Sequence, residues 1–208
     1  MDDGRSLFLV NLLAMILDHL DNYSVVLASK SPRRQELLRG MGVKFITFTK
    51  ETPEDYPDMP FEKVPEYLSR QKSLAFNDEE LPGSYLLITA DTVVIAENKI
   101  LGKPADKDEA LRMLQLLSGK THHVVTGVTV RSKNRMKTFS ATSEVTFALL
   151  DPEEMEYYVD RYKPYDKAGA YGIQEWIGYV GISGLQGSFY NVMGLPTRKL
   201  YQTLKEFK

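Results

Sequence analysis

The chain contains no cysteine in its 208 residues. Disulfides, thiolate zinc sites and cysteine nucleophiles are therefore excluded, and the absence suits a reducing, cytoplasmic compartment. Histidine is scarce as well. His19, His122 and His123 show no metal-ligand spacing, and two adjacent histidines on a strand would point to opposite faces. Neither GxxxxGK[ST] nor GxSxG occurs, which removes the P-loop and the strand-to-helix nucleophile elbow. Charge of one sign is lacking too: 26 Lys and Arg stand against 28 Asp and Glu. A net charge of −2 implies no strong pull toward nucleic acid or an anionic membrane. No stretch is long and apolar enough to span a bilayer, and there is no internal repeat or low-complexity tract.

What is present is a core-forming composition, with 43% hydrophobic residues. Leu9, Leu12, Leu13, Ile16, Leu17 and Leu20 recur at helical spacing, predicting an amphipathic helix over about residues 6–21. Asp2 and Asp3, the single early cation Arg5 and the lack of a small-x-small site argue against a secretory signal. The chain is divided accordingly into an N-terminal helical extension, 1–22, and a single α/β domain, 23–208. The extension is expected to pack on the body or on a partner subunit.

Within the body, strand and helix patterns alternate. Val25–Ala28, Val43–Phe48 and Tyr85–Ala90 read as strands, the last ending at Asp91. Residues 49–60 form an acidic, proline-bearing loop, and a helix is expected over about 62–77. Asp106 opens another helix with Glu109 completing a capping box, and Gly119 closes it. Val124–Val130 and Phe139–Leu150 read as long strands around a turn at 132–134. Asp151-Pro152-Glu153-Glu154 caps a further helix, and a last one follows Pro196. This is an α/β pattern with a mixed sheet flanked by helices, in two lobes with a central cleft.

The segment with most chemical content is Ser29-Lys30-Ser31-Pro32-Arg33-Arg34-Gln35-Glu36-Leu37-Leu38. Ser31 suits an N-cap and Pro32 the first helical turn. Two arginines then stand where the helix dipole disfavours cations. A bound anion would resolve that conflict, held by free N–H groups, the Ser29 and Ser31 hydroxyls and the guanidinium forks. A plain capped surface helix with solvated arginines would have the same sequence. Elsewhere Asp91 is placed at a strand's C-terminal edge, where open α/β sheets hold ligands. Lys103 sits in a Gly-Lys-Pro turn. Lys167 stands in Tyr165-Asp166-Lys167-Ala168-Gly169-Ala170-Tyr171-Gly172-Ile173-Gln174, whose small residues would let backbone approach a ligand. Arg33, Arg34, Lys72, Lys103 and Lys167, joined by the candidate carboxylates Asp91, Glu54 and Glu144, suit a polyphosphate held with a hard cation such as Mg²⁺.

The Ser29–Leu38 segment, Ala90-Asp91-Thr92, Gly102-Lys103-Pro104, Leu117-Ser118-Gly119, Asp166–Gln174 and Met193-Gly194-Leu195-Pro196 occur in the order that marks the Maf, or septum-formation-inhibitor-like, family. From about Ser24 to Phe207 the chain resembles these nucleoside triphosphate pyrophosphatases. The resemblance implies an elongated Maf/ITPase-like sheet with a cleft and a homodimer. The implied reaction is hydrolysis of a nucleoside triphosphate to monophosphate and pyrophosphate, a house-cleaning role in the nucleotide pool. The Lys-Ala-Gly-x-Tyr-x-Ile-Gln signature is similar to that of the branch acting on dTTP and UTP. It further implies Asp91 as proton acceptor, with Lys72 and Lys103 beside it. Ser31, Arg33, Arg34, Thr92, Lys167 and Gln174 are assigned to substrate, Arg33, Thr92 and Gln174 to base choice. Glu54, Asp91 and Glu144 would hold a divalent cation, Mg²⁺ before Mn²⁺. Neither nucleic acid nor membrane is called for. The Gln174 amide could pair with N3–H and O4 of uracil or thymine, and a flipped amide with cytosine. Glu175-Trp176 departs from the glycine common in the family at that place. Action on modified nucleotides, or a non-enzymatic role in regulating division, stays open at this level.

Overall fold

The structure is a computed structural model, which describes residues 17–208. Most of the expected N-terminal helix, with Leu9, Leu12, Leu13 and Ile16, lies outside the described residues. A short 3-10 turn at Asp18–Asn22 brings Leu20 into the core.

The strands are β1 (Ser24–Leu27), β2 (Ile46–Thr47), β3 (Tyr85–Ala96), β4 (Lys99–Leu101), β5 (Thr121–Arg131), β6 (Met136–Phe147) and β7 (Ile182–Gln186). The α-helices are α1 (Pro32–Gly40), α2 (Val64–Leu74), α3 (Lys107–Leu117), α4 (Pro152–Tyr162), α5 (Trp176–Val180), α6 (Phe189–Val192) and α7 (Thr197–Leu204). One mixed sheet runs β2-β1-β3-β5-β6-β7, with β4 also paired to β3. β1 is parallel to β2 and β3, while β5, β6 and β7 continue antiparallel.

β3 is the spine, almost wholly buried because both of its faces are covered. Its alternate residues Ile88, Ala90 and Val94 join the main core with α1, α3, α4 and α7. Val93 and Ile95 face the other way and pack with Val64 and Leu68 of α2. Each such fully buried aliphatic side chain contributes about 1.5–3 kcal/mol.

β3 does not stop at Asp91 as expected. Thr92-Val93-Val94-Ile95 is a β-branched run that stays paired with β5. The chain then turns through Glu97 and Asn98, both at positive φ (47° and 56°), into β4. That is the backbone of a tight two-residue hairpin. The strand expected over 43–48 shrinks to β2, two residues on an exposed edge. The helix expected over 62–77 is α2 preceded by a 3-10 turn at Phe61–Lys63. The later helices follow their caps: Asp106 accepts from Glu109 N–H at 2.8 Å, and Asp151 and Glu154 form a capping box.

Candidate active site

The cleft opens where one edge of β3 has no neighbouring strand. β1 accompanies β3 only as far as the Leu27–Ile88 pair, and β4 joins it only from Val94. Residues 89–93 between them, including Asp91 and Thr92, lack a strand on that side. Loops from both flanks fill the gap and leave a cleft of about 850 Å³. Asp91 is therefore a mid-strand residue, and it borders the cleft because its neighbour β1 ends.

On one flank lies the first turn of α1. Ser31 has extended backbone and its Oγ accepts from Arg34 N–H at 3.4 Å, as an N-cap should. The two arginines diverge from there. Arg34 turns inward: Nε donates to Gly194 O at 2.8 Å, Nη1 to Ala90 O at 3.0 Å and Nη2 to Thr92 Oγ1 at 2.9 Å. Buried N–H groups must find partners, so the free fork expected of Arg34 is largely spent inside the protein. Burial pulls its guanidinium below the ordinary value, against the raising effect of Asp91, and Arg33 adds to the lowering. Arg33 reaches along the cleft and donates from Nη1 to Asp166 Oδ2 at 2.8 Å.

On the sheet floor, Lys72 of α2 donates to Asp91 Oδ1 at 2.5 Å and to Glu54 Oε1 at 2.8 Å. Gly127 makes this reach possible. It pairs with Asp91 across β5, and a Cβ there would lie 2.2 Å from Pro65 C and O. Only glycine lets α2 settle so close, and Lys72 lies two turns along α2 from Pro65. Burial alone raises the Glu54 pKa, but the Lys72 hydrogen bond and the Lys72, Lys103 and Arg34 charges outweigh it and hold the carboxyl below its usual range.

The opposite flank is the 165–175 loop. Gly169 N–H donates to Gly102 O at 3.0 Å, tying this loop to the turn that carries Lys103. Of its small residues, Ala168 and Gly172 line the cleft, while Gly169 packs within the protein. Gly169, at φ +68°, has Val94 Cγ2 at 3.0 Å from where a Cβ would be. Lys167 is buried and donates to Asp166 Oδ1 at 2.7 Å, with Glu175 Oε1 at 3.1 Å. Tyr158, wholly buried, donates its hydroxyl to Glu175 Oε2 and accepts from Gly172 N–H at 2.9 Å. Burial first, then the hydrogen bond and charge of Glu175, pushes the phenol well above its usual value.

Ser31, Arg33, Arg34, Glu54, Lys72, Asp91, Thr92, Lys103, Lys167 and Gln174 all line this one cleft. Glu144 does not. It stands on β6, separated from β3 by β5, and its half-exposed carboxylate lies 3.4 Å from His123 Nε2. It cannot join Glu54 and Asp91 on one ion. Among the described residues no group of three His, Cys, Asp or Glu is placed to hold a metal. Sequence reasoning gave Tyr158, Asn191 and Gly127 no place at the site, and noted Glu175 only as a departure from the family pattern. Asn191 is buried and donates from Nδ2 to Val124 O and Ser143 Oγ, each at 3.0 Å, which anchors the Met193-Gly194 turn beside Arg34. Tyr158 sits on an amphipathic helix and Gly127 inside a strand, so neither carried a local signal beyond packing.

Residues 24–207 match the family model described as Maf-like protein. A dTTP/UTP pyrophosphatase of Porphyromonas gingivalis is 54% identical over 195 residues, covering 92% of this chain and 98% of that protein. Proteins of the same description from Bacteroides thetaiotaomicron (51% over 193 residues, 92% of this chain and 100% of that one) and Flavobacterium psychrophilum (45% over 188 residues, 90% and 96%) are similar along almost their whole lengths. Among solved structures, a nucleoside-triphosphatase/dITP/XTP pyrophosphatase of Mycobacterium abscessus aligns over 86% of this chain and 93% of its own at 13% identity and a TM-score of 0.41, too distant to carry weight. With residues from five of the six motifs lining one cleft and the match spanning residues 24–207, this chain belongs to the Maf family.

Proposed function

We propose that this protein hydrolyses nucleoside triphosphates, dTTP and UTP ahead of others, to the monophosphate and pyrophosphate. The observation that carries the reading is the Asp91 carboxylate, held by Lys72 in a cleft bordered by Arg33, Lys103 and Lys167. Relatives described as dTTP/UTP pyrophosphatases support the choice of substrate. A non-enzymatic regulator would need the cations but not a carboxylate so placed.

The donor set fits a hard divalent cation that brings most of its ligands as water and phosphate oxygens. Asp91 and Glu54 would hold it, since both face the cleft and Lys72 occupies only one oxygen of each. Bound there, Mg²⁺ would neutralise charge on the triphosphate and on the departing pyrophosphate. The chain's own groups do the rest. Lys72 holds Asp91 through Oδ1, and Oδ2, with one lone pair for the cation and one for the water, would orient the attacking water and take its proton. Arg33, Lys103 and Lys167 stabilise the charge that builds on the leaving group. Arg34 holds Thr92 and the Gly194 turn in register. Gln174 reads the base.

The decisive measurement is a panel of UTP, dTTP, CTP, GTP and ATP with separate detection of pyrophosphate and monophosphate. UTP and dTTP should be turned over fastest, with one pyrophosphate per monophosphate. Release of inorganic phosphate alone would refute cleavage between the α and β phosphorus atoms. The same reading includes a homodimer in the cytoplasm, and a monomer mass by light scattering at micromolar concentration would dismiss the dimer. No helix among the described residues is long and apolar enough to cross a membrane. It also includes residues 1–22 as an extension dispensable for turnover. Leu20 is buried in the core, so a truncation after residue 16 is the fair test, and loss of turnover in that folded variant would reject the division.

A further inference from the structure

Arg33 carries a conflict that its neighbours in the chain do not resolve. It stands in the first turn of α1, where the helix dipole disfavours a cation and no acidic residue offsets it. Its side chain is long, and holding it in one place costs rotamer entropy. Yet the side chain is only 20% exposed, and it reaches the far flank of the cleft. Among the described residues its guanidinium has one hydrogen-bond partner, Asp166, 133 positions away.

Asp166 alone would be a poor anchor, because its side chain is 57% exposed on a loop. It is held from behind. Oδ1 accepts from Lys167 Nζ at 2.7 Å while Oδ2 accepts from Arg33 Nη1 at 2.8 Å. Lys167 is buried, with Glu175 Oε1 at 3.1 Å. Glu175 accepts from the Tyr158 hydroxyl, and Tyr158, wholly buried on α4, accepts from Gly172 N–H at 2.9 Å. The chain Tyr158, Glu175, Lys167, Asp166, Arg33 thus alternates in charge from Glu175 outward and runs from the core to the cleft. Its links are charge-assisted and so stronger than neutral hydrogen bonds. Partial burial alone would raise the Asp166 pKa, but the hydrogen bonds and charges of Lys167 and Arg33 outweigh it and keep the carboxyl below its usual value. Only Nη1 of Arg33 is engaged, which leaves Nε and Nη2 for phosphate oxygens.

We propose that Asp166 is a positioning residue that fixes the Arg33 guanidinium at the cleft, as the outer link of a chain anchored on buried Tyr158. The protein thereby supplies the anion that the first turn of α1 calls for. Asp166 performs no chemistry. It orders Arg33 before the triphosphate arrives, so that less freedom is lost on binding. Because donors of Arg33 remain, substrate joins the bridge and does not displace it. The inference rests on the reading of the cleft as a triphosphate site.

Two measurements test it: Kd for inorganic tripolyphosphate by titration calorimetry, and kcat and KM for UTP and dTTP. Asp166→Asn keeps the shape and removes the charge. It should weaken tripolyphosphate binding and raise both KM values by about three- to fivefold, the upper end for one exposed ion pair, with kcat nearly unchanged. Asp166→Glu restores the charge and should recover most of the loss. In an Arg33→Ala background, Asp166→Asn should add almost nothing, because the link it serves is gone. Should Asp166→Asn fail to fold, Glu175→Gln, which loosens Lys167 one link back, decides: weaker binding upholds the chain and an unmoved Kd refutes it. Tighter binding in Asp166→Asn would make the carboxylate a plug that substrate displaces, and would overturn the proposal. So would an unmoved Kd, an undiminished loss in the Arg33→Ala background, a fall in kcat alone, or a wild type that binds no tripolyphosphate. Wild-type cleavage of UTP judges the parent reading separately: if tripolyphosphate binds and UTP is not cleaved, the pyrophosphatase falls and Kd still decides the role of Asp166.

Discussion

The parallel half of the sheet, β2-β1-β3, and the antiparallel half, β3-β5-β6-β7, meet on the one strand they share. The parallel half is short and ends early, and its strand ends release the first turn of α1, with Ser31 and Arg33, and the loop that carries Glu54. The antiparallel half has strands of up to 12 residues. It contributes few groups to the cleft, but its register and the close approach at Gly127 decide where α2 and Lys72 rest. One half thus supplies charged groups from the segments that follow its strands, and the other supplies the floor against which they are aimed. Asp91 belongs to both, a floor residue bared because the parallel half stops short.

That division can be broken most severely at the shared strand. Asp91→Asn removes the proton acceptor but keeps the shape, so turnover should fall by about 10²–10⁴-fold with the melting temperature nearly unchanged. Near-normal kcat in the folded variant would take Asp91 out of the mechanism.

Next in size is the contrast between the two arginines. Arg34→Ala strips the partners from Ala90 O and Gly194 O, at about 1–3 kcal/mol for each buried acceptor left bare. It should show as a lower denaturation midpoint. Arg33→Ala should leave stability within about 0.5 kcal/mol and raise KM for every triphosphate. Equal behaviour of the two variants in urea titrations and kinetics would erase the distinction between a buried brace and a ligand.

Gly127→Ala probes the floor. The added methyl meets Pro65 backbone, and overpacking of this kind costs about 1–3 kcal/mol. Turnover should drop as well, because α2 carries Lys72 away from Asp91. A stability loss with unchanged kcat would mean that Lys72 is not placed by this contact.

The smallest effect concerns His122, deep in the antiparallel half between Phe147 and Tyr171. Burial, helped by the neighbouring His123, lowers its pKa from 6.5 to about 4. The unfolded chain takes up the proton near the ordinary value, while the folded protein refuses it until about pH 4. The contribution to stability is therefore intact above pH 6.5 and lost as the pH falls from there toward 4. Between neutral pH and the middle of that window it amounts to about 1.5 kcal/mol. Melting curves of wild type and His122→Gln over that range should converge as the pH drops. Parallel curves would show that His122 titrates alike in both states.

Much of this was legible in the chain. The Ser31 cap before Pro32, the Asp151–Glu154 capping box and the turn at 132–134 are local chemistry, and they stand where the residues put them. The cations and carboxylates of the family motifs, Glu144 aside, do gather at one cleft. Less legible was the length of β3. Asp91 looked like a strand end because an acid follows an apolar run, yet it is paired on both sides of the position by β5. The inward turn of Arg34 and the absence of Glu144 from the cleft could not be read from residue type either.

Sequence by itself determined most of the elements, their caps and the inventory of charged groups, because each depends on neighbours a few residues apart. Tertiary structure decided which of those groups share a site and what each one does there. Arg33 and Arg34 are adjacent in the chain and alike in chemistry, but one meets solvent and Asp166 while the other meets buried carbonyls. Glu144 and Glu54 have equal side chains and unequal distances to Asp91. Those distances follow from where β1 ends and how closely α2 rests on Gly127, contacts between segments far apart in sequence that no local pattern encodes.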